Sequence, residues 1–227
     1  MVSIDKVYQK VLAFANKEQR GYITPQEFNL FADQAQKEIF EQYFYDLNQF
    51  MRRTGNSEEY SDMIHNINEK IAVLENTSMI VNSVISANDM YRLGTVIKGG
   101  NIIVEEVQQN DILEMNMSYL TKSTNKRPVY VRTGRLTINF YGSNGIENFN
   151  GTCTYVRKPL KPSWGYVVVN GKAMYNPSNK VDFELHPAEE TELVYKILKF
   201  AGVSMKRDDV VGVAQGLESS QVQQEKQ

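Results

Sequence analysis

The chain has 227 residues, of which 41% are hydrophobic and 23% are charged, and its formal net charge is -2. That is enough apolar material for one large domain or two small ones. This charge gives no global basic field to hold nucleic acid by neutralising its phosphates, which argues against a DNA-binding domain of the usual electropositive kind. The single cysteine, Cys153, excludes an internal disulfide and suits a reducing compartment.

The N-terminus has no basic flank followed by an apolar core, and no apolar run approaches the roughly 18 residues that span a bilayer. We therefore expect a protein that is made in a cytoplasm without a signal peptide or membrane contact.

Apolar residues recur at helical spacing in three segments of the first third of the chain. The second segment has the clearest start, since Thr24 can cap it, Pro25 suits the first helical position and Glu27 completes a capping box. Its wide aromatic stripe predicts contacts on more than one side. The stripe includes Phe28, Phe31, Ala35, Ile39, Phe40, Tyr43, Phe44, Leu47 and Met51.

Short β-branched segments separated by turn residues fill the middle of the chain, from about residue 78. Gly99-Gly100 and Asn170-Gly171 each predict a tight hairpin turn, and the second is the strongest such signal in the chain. A short helical turn is expected over 111–118. The pattern predicts a mostly antiparallel, hairpin-rich sheet.

Helices return after a short strand at 181–185. His186 and Pro187 mark a helix start, where His186 is expected to act as a cap, and Gly202 suits its end. The final segment, 208–227, has a weaker apolar stripe interrupted by two glycines that each cost a helix about 1 kcal/mol. We expect this terminal arm to order against a partner.

Together these elements predict an α+β fold. Residues 1–77 and 182–207 should form a helical domain, 78–181 an antiparallel β domain inserted into it, and 208–227 a C-terminal arm.

The stretch 16–27 has the outline of a calcium-binding EF-hand loop, with Gly21 at the turn and Glu27 at the closing position. However, Asn16 replaces the expected first carboxylate, and Arg20 stands where an oxygen ligand is needed. A guanidinium offers only donors, so a helix–turn–helix connection ending in a capping box is favoured over a calcium sensor.

No set of residues has the spacing of a metal centre or a nucleophilic triad. His65, His186 and Cys153 are scattered, His65 is expected on a helix surface, and Cys153 is expected in the interior of a strand. We therefore predict no catalytic residues, no metal and no cofactor.

Two charged segments have competing interpretations. The acidic cluster Glu105, Glu106, Asp111 and Glu114 favours a solvated face over a hydrolase or nuclease site. The basic and aromatic segment 155–164 could contact phosphate or an acidic protein patch. It is more typical of a strand running into a proline-stiffened connection with Trp164 packed beneath it.

Several strings resemble virion structural proteins of short-tailed bacteriophages of the marine and crAss-like groups. They are YITPQEF (22–28), MYRLG (90–94), RPVYV (127–131), CTYVRKP (153–159), WGYVV (164–168) and FELHPAEE (183–190). The order of helices, β insertion, returning helix and terminal arm is similar to that of the head-to-tail connector, or adaptor, family. That resemblance implies a non-enzymatic virion protein of which twelve copies form a ring beneath the portal, around the DNA channel.

Under this resemblance the partners are the portal protein, other tail proteins and further copies of the chain, and DNA passes without sequence-specific binding. Portal contact is expected from the arm residues Val210, Val211, Val213, Ala214 and Leu217. Lateral contact between copies is expected from Phe31, Tyr43, Phe44 and Tyr45. The alternatives are a tail, nozzle or head decoration protein and, in another class, a hydrolase or nuclease with an acidic site.

Overall fold

The computed structural model describes residues 1–17, 23–52, 58–99, 101–204 and 208–225. The described helices are α1 (Ile4–Lys17), α2 (Pro25–Arg52), α3 (Glu58–Ala72), α4 (Asp111–Met117), α5 (Glu190–Ser204) and α6 (Asp208–Glu225). The described strands are β1 (Glu75–Val81), β2 (Val84–Ile85), β3 (Met90–Lys98), β4 (Ile102–Glu106), β5 (Val129–Arg132), β6 (Ile138–Gly142), β7 (Gly145–Glu147), β8 (Gly151–Arg157), β9 (Tyr166–Val169) and β10 (Lys172–Tyr175). The α+β class is confirmed.

The chain divides into two units. Unit 1 comprises Met1–Val73 and Pro159–Gln227, and unit 2 comprises Leu74–Lys158. Three segments differ from the expected domain limits: 74–77 fall in unit 2, while 159–181 and the arm, 208–227, fall in unit 1. Residues 159–181 belong with the helices because buried polar contacts fasten the connection after β8 to α2.

Unit 1 is built on α2, and Gln36 shows how the connection after β8 is attached to it. The Gln36 side chain is fully buried; its Nε2 donates to the Leu160 carbonyl at 2.7 Å and its Oε1 accepts from the Glu184 backbone at 3.0 Å. The Glu184 carboxylate in turn accepts from the Leu160 backbone at 2.7 Å. A buried amide is tolerated because its donor and acceptor are both satisfied.

Trp164 joins the same layer to α1. Its ring lies 4.4 Å from that of Tyr8 and 5.6 Å from that of Tyr175, and its indole nitrogen donates to Asp5 at 2.9 Å. The interpretation of 155–164 as a strand followed by a connection over a packed tryptophan is therefore confirmed. The side chains of Lys158 and Lys161 are exposed.

The helix starts in unit 1 follow the predicted capping chemistry. Thr24 and Glu27 exchange the two hydrogen bonds of a capping box, at 3.3 Å to the Glu27 backbone and 3.0 Å to the Thr24 backbone. The Thr24 hydroxyl also donates to the Glu27 carboxylate at 2.7 Å, and this bond, together with the one from the Thr24 backbone, lowers the pKa of Glu27. His186 caps the short 3-10 turn Pro187–Glu189 through Nδ1, which accepts from the Ala188 backbone at 3.3 Å.

Unit 2 is an eight-stranded sheet in the order β2-β1-β8-β3-β4-β5-β6-β7. Neighbouring strands of this sheet are antiparallel except β4 and β5, which run parallel. The sheet is therefore mixed and is not built from antiparallel hairpins alone. The crossover between them carries α4, as a parallel connection requires. The first of the β-branched segments forms two strands, β1 and β2, because Asn82 and Ser83 turn the chain with positive φ angles of 50° and 65°.

Both faces of this sheet are covered at β5, where side chains alternate between two clusters. Tyr130 joins the larger core with Phe140 and Phe149, whose rings stack at 4.6 Å. Val129 and Val131 face the other way and pack with Ile112 of α4. Cys153 is buried in the larger core, as the strand pattern predicted, and burial raises the pKa of its thiol.

None of the described helices is long and apolar enough to cross a membrane.

Candidate functional site

The arm residues predicted to contact a portal are only partly accessible. Helix α6 packs against α5, where Ala214 is buried and Leu217 is 41% exposed. The side chains of Val210, Val211 and Val213 lie outside the described part of the structure. Of the described members of this set, Leu217 is accessible to a second protein and Ala214 is not.

An ion cluster holds α6 on α5. The Lys196 ammonium, on a side chain only 11% exposed, lies 2.6 Å from Glu218 and 3.4 Å from Glu192, and Lys199 reaches Glu218 at 3.2 Å. Desolvation alone would raise the pKa of Glu218, but its hydrogen bonds and the charges of both lysines outweigh this and lower it. The arm is therefore docked on α5 within a single chain. It does not need a partner in order to form its helix.

The four residues predicted to form lateral contacts do not share a surface. Tyr43 and Phe44 are each 5% exposed and belong to the core of unit 1, where Phe44 packs edge-on against Phe40 at 5.1 Å. Tyr45 is 63% exposed and Phe31 is partly buried. Lateral contact stays a prediction for Tyr45 and Phe31, whereas the other two rings are covered by the chain itself. These two members of the aromatic stripe of α2 therefore pack inside unit 1.

The acidic cluster is a solvated face. Glu105 pairs with Arg127 at 3.3 Å across exposed side chains, and Glu106 accepts a hydrogen bond from the Tyr130 hydroxyl at 3.0 Å. Burial of the tyrosine, together with the nearby Glu106 charge, raises the pKa of Tyr130. Among the described residues there is no group of three acidic, histidine or cysteine side chains placed to hold a metal ion.

The EF-hand outline falls partly outside the described residues, since 18–22 are not included. The closing residue Glu27 is described, and its carboxylate is engaged by Thr24 in the capping box. His65 is exposed on α3, as expected.

An exposed apolar segment on unit 2 was not predicted. Residues 113–120 comprise most of α4 and the turn that follows it, and are here called the apolar loop. They present Leu113, Met117, Tyr119 and Leu120 at 63%, 85%, 100% and 94% exposure. The loop is held by its own hydrogen bonds, from Thr121 Oγ1 to the Met115 carbonyl at 2.9 Å and from the Lys122 backbone to the Ser118 carbonyl at 2.9 Å. The density of large apolar residues over 112–120 was the available sequence signal.

A second exposed apolar surface lies on the β9–β10 hairpin of unit 1. Val167, Val168 and Met174 are 48%, 62% and 58% exposed. Asn170 and Gly171 turn the hairpin with positive φ angles of 51° and 76°, which confirms the predicted turn. Isolated two-stranded hairpins are only marginally stable in water. The exposed side chains of this hairpin therefore offer apolar surface for further packing.

Unit 1 also contains a cavity of about 370 Å³ that no sequence pattern indicated. It lies among α2, α3 and the start of α5, and is lined by Ile39, Gln42, Tyr43, Asp46, Phe50, Met63, Asn66, Ile67, Glu69, Lys70, His186, Ala188, Glu189 and Glu192. Glu189, at 1% exposure, is its most buried carboxylate. The lining residues come from separated parts of the chain, which is why no spacing pattern foretold the cavity.

No protein-family model matches the chain, and no curated protein matches it in sequence.

Proposed function

We propose that this chain is a structural protein of a short-tailed bacteriophage virion, namely a head–tail connector subunit. In this role, copies form a ring beneath the portal and join it to the tail around the DNA channel. The sequence strings that resemble such proteins support the class of virion protein. From the geometry, the supporting observation is the apolar loop.

The apolar loop is suited to contact between protein chains. Tyr119 and Leu120 are almost fully exposed, and burial of one large apolar side chain is worth about 1.5–3 kcal/mol. The internal hydrogen bonds of the loop reduce the conformational entropy that a partner would otherwise have to remove on binding. Contiguous exposed apolar residues of this kind mark interaction sites.

A ring also needs a second surface on each subunit, since head-to-tail contacts join two different patches. The β9–β10 hairpin and Tyr45 supply exposed apolar and aromatic groups on unit 1. In the proposed ring, Leu217 and the rest of α6 contact the portal.

The test combines the purified chain with the portal protein of the same phage and measures mass by size-exclusion chromatography with light scattering. We expect a portal-dependent ring for the intact chain. Changing both Tyr119 and Leu120 to serine should abolish ring formation without unfolding the subunit. Ile146→Ser, at a position that is 66% exposed on β7, is the matched control and should assemble normally.

Deletion of 208–227 tests the arm separately. The truncated subunit should lose the helical signal of α6 in circular dichroism, keep a cooperative unfolding transition and no longer be retained by immobilised portal. Normal retention of this truncation, or normal assembly of the loop double variant, would refute the corresponding part of the proposal. Microscopy of labelled particles distinguishes a connector from a tail, nozzle or head decoration protein by position.

A further inference from the structure

We propose that the cavity among α2, α3 and the start of α5 is a binding site for a monoalkyl guanidinium group, the head of an arginine side chain. This inference does not depend on the virion role. It rests on the charge of the cavity, on one buried carboxylate oxygen and on the apolar part of the lining.

The lining is strongly acidic. Its described residues carry four carboxylates, Asp46, Glu69, Glu189 and Glu192, against one ammonium, that of Lys70, which gives them a formal charge of -3 with the histidine neutral. A cavity of this charge attracts cations and repels phosphates and carboxylates.

Glu189 indicates where in the cavity the cation would bind. Its Oε1 forms an ion pair with the Lys70 ammonium at 2.7 Å, whereas its Oε2 has no such partner; both oxygens are buried, and neither makes a hydrogen bond with the described residues. Since Glu189 is 1% exposed, leaving a carboxylate oxygen without a hydrogen bond there is energetically costly. A donor that enters the cavity would remove this cost.

The other carboxylates of the lining differ in their engagement. Glu192 shares Lys196 with Glu218, which is the closer partner at 2.6 Å against 3.4 Å. Asp46 accepts from the Gln42 amide at 2.9 Å, and Glu69 is exposed. Among these groups, the buried Oε2 of Glu189 is therefore the strongest attractor for a desolvated donor.

The chemistry of the site favours a guanidinium over a metal ion or an ammonium. The described residues provide no group of three ligands that could hold a metal ion. A guanidinium loses its hydration more readily than an ammonium, presents several donors in one plane and packs well against aromatic rings. Tyr43 and Phe50 supply such rings in the lining.

The apolar part of the lining accounts for the alkyl chain. Ile39, Met63 and Ile67 line the same cavity, and aliphatic walls suit the three methylenes of an arginine side chain. The volume of about 370 Å³ lies at the small end of the range of about 300–1,000 Å³ found for ligand pockets. It is thus suited to one side chain or one small guanidino compound.

The test uses ethylguanidinium as the probe and follows the amide resonances of the full chain by NMR during a titration. Saturable shifts are expected at residues of the cavity. N-Ethylurea has the same shape without charge and should give no saturable shift, and ethylammonium should bind several-fold more weakly. Absence of saturation with ethylguanidinium, or equal binding of either comparison compound, would overturn the proposal.

Two variants change the affinity in opposite directions. Glu189→Gln should weaken ethylguanidinium binding by about 10- to 100-fold, as expected for loss of a hydrogen bond to a charged group. Lys70→Met removes the competing internal cation and should strengthen binding, so the proposal remains testable if the first variant fails to fold. Glu190→Gln is the control, since Glu190 pairs with Lys10 and does not line the cavity. Unchanged affinity in both cavity variants would refute the assignment.

Two further ligands separate the sources of the guanidinium group. A capped Gly-Arg-Gly peptide that binds at least as tightly as ethylguanidinium indicates an arginine presented by a protein chain. Tighter binding of free L-arginine than of the peptide indicates a small guanidino compound. Failure of both beside a binding ethylguanidinium would overturn the assignment to arginine.

Discussion

Neutralising Glu218 by Glu218→Gln is expected to loosen α6 from α5. Glu218 accepts from Lys196 at 2.6 Å and from Lys199 at 3.2 Å, and its side chain is only 15% exposed. The substitution keeps the shape of the side chain but leaves Lys196 with Glu192, 3.4 Å away, as its remaining ion partner among the described residues.

The magnitude follows from burial. Exposed ion pairs contribute about 0–1 kcal/mol, whereas breaking a buried pair costs about 3–5 kcal/mol. The side chains of Glu218, Lys196 and Lys199 are 11–30% exposed, so an intermediate cost of about 2 kcal/mol is expected. That corresponds to a roughly 30-fold increase in the population of molecules with α6 detached.

Hydrogen exchange measured by mass spectrometry is the direct assay, because it reports local opening of α6 separately from unfolding of unit 1. Peptides from α6 should exchange about 30-fold faster in the variant, while peptides from α1 should be unchanged. The matched control is Glu190→Gln, which breaks the more exposed Lys10–Glu190 pair and should change exchange little. Equal protection of α6 in Glu218→Gln and the unmodified chain would refute this account of the arm.

The same cluster gives a pH dependence. Because the folded-state pKa of Glu218 is below its ordinary value of 4.5, its stabilising contribution is present above that value and is lost as the pH falls through the folded pKa. Desolvation would lower the pKa of Lys196, but its carboxylate partners raise it overall, above 10.5. Protection of α6, corrected for intrinsic exchange, should therefore be constant near neutrality and decline in acid. No decline in acid would contradict the assignment.

Two predictions concern unit 2. Cys153 should react with a thiol reagent only as fast as the sheet opens, because burial removes access and raises the pKa of the thiol; rapid reaction in the absence of denaturant would contradict this. Phe149→Ala should lower the free energy of unfolding of this unit by about 3–5 kcal/mol in urea titrations, because the ring stacks on Phe140 in a closed core. The control Ile146→Ala, at an exposed position, should stay within about 0.5 kcal/mol, and a similar loss in both would show that the stacked pair has no special role.

Local features were predictable from the sequence because local chemistry alone produces them. Thr24, Pro25 and Glu27 specify a helix start through hydrogen bonds within four residues, and Asn170-Gly171 specifies a turn through its tolerance of positive φ. The α+β class follows from the order of such segments. Cys153 could be assigned to a strand interior because its neighbours alternate in polarity.

Which apolar side chains stay on the surface was decided only by the tertiary structure. The aromatic stripe of α2 suggested contacts with other copies, yet Tyr43 and Phe44 pack inside unit 1, while Tyr119 and Leu120 remain exposed. Periodicity gives the direction of a side chain on its own helix but not the element that will cover it. The same limit applies to the acidic cavity, where Glu189 meets Lys70 across 119 positions of sequence, and to the parallel pairing of β4 with β5, since both depend on contacts between distant segments.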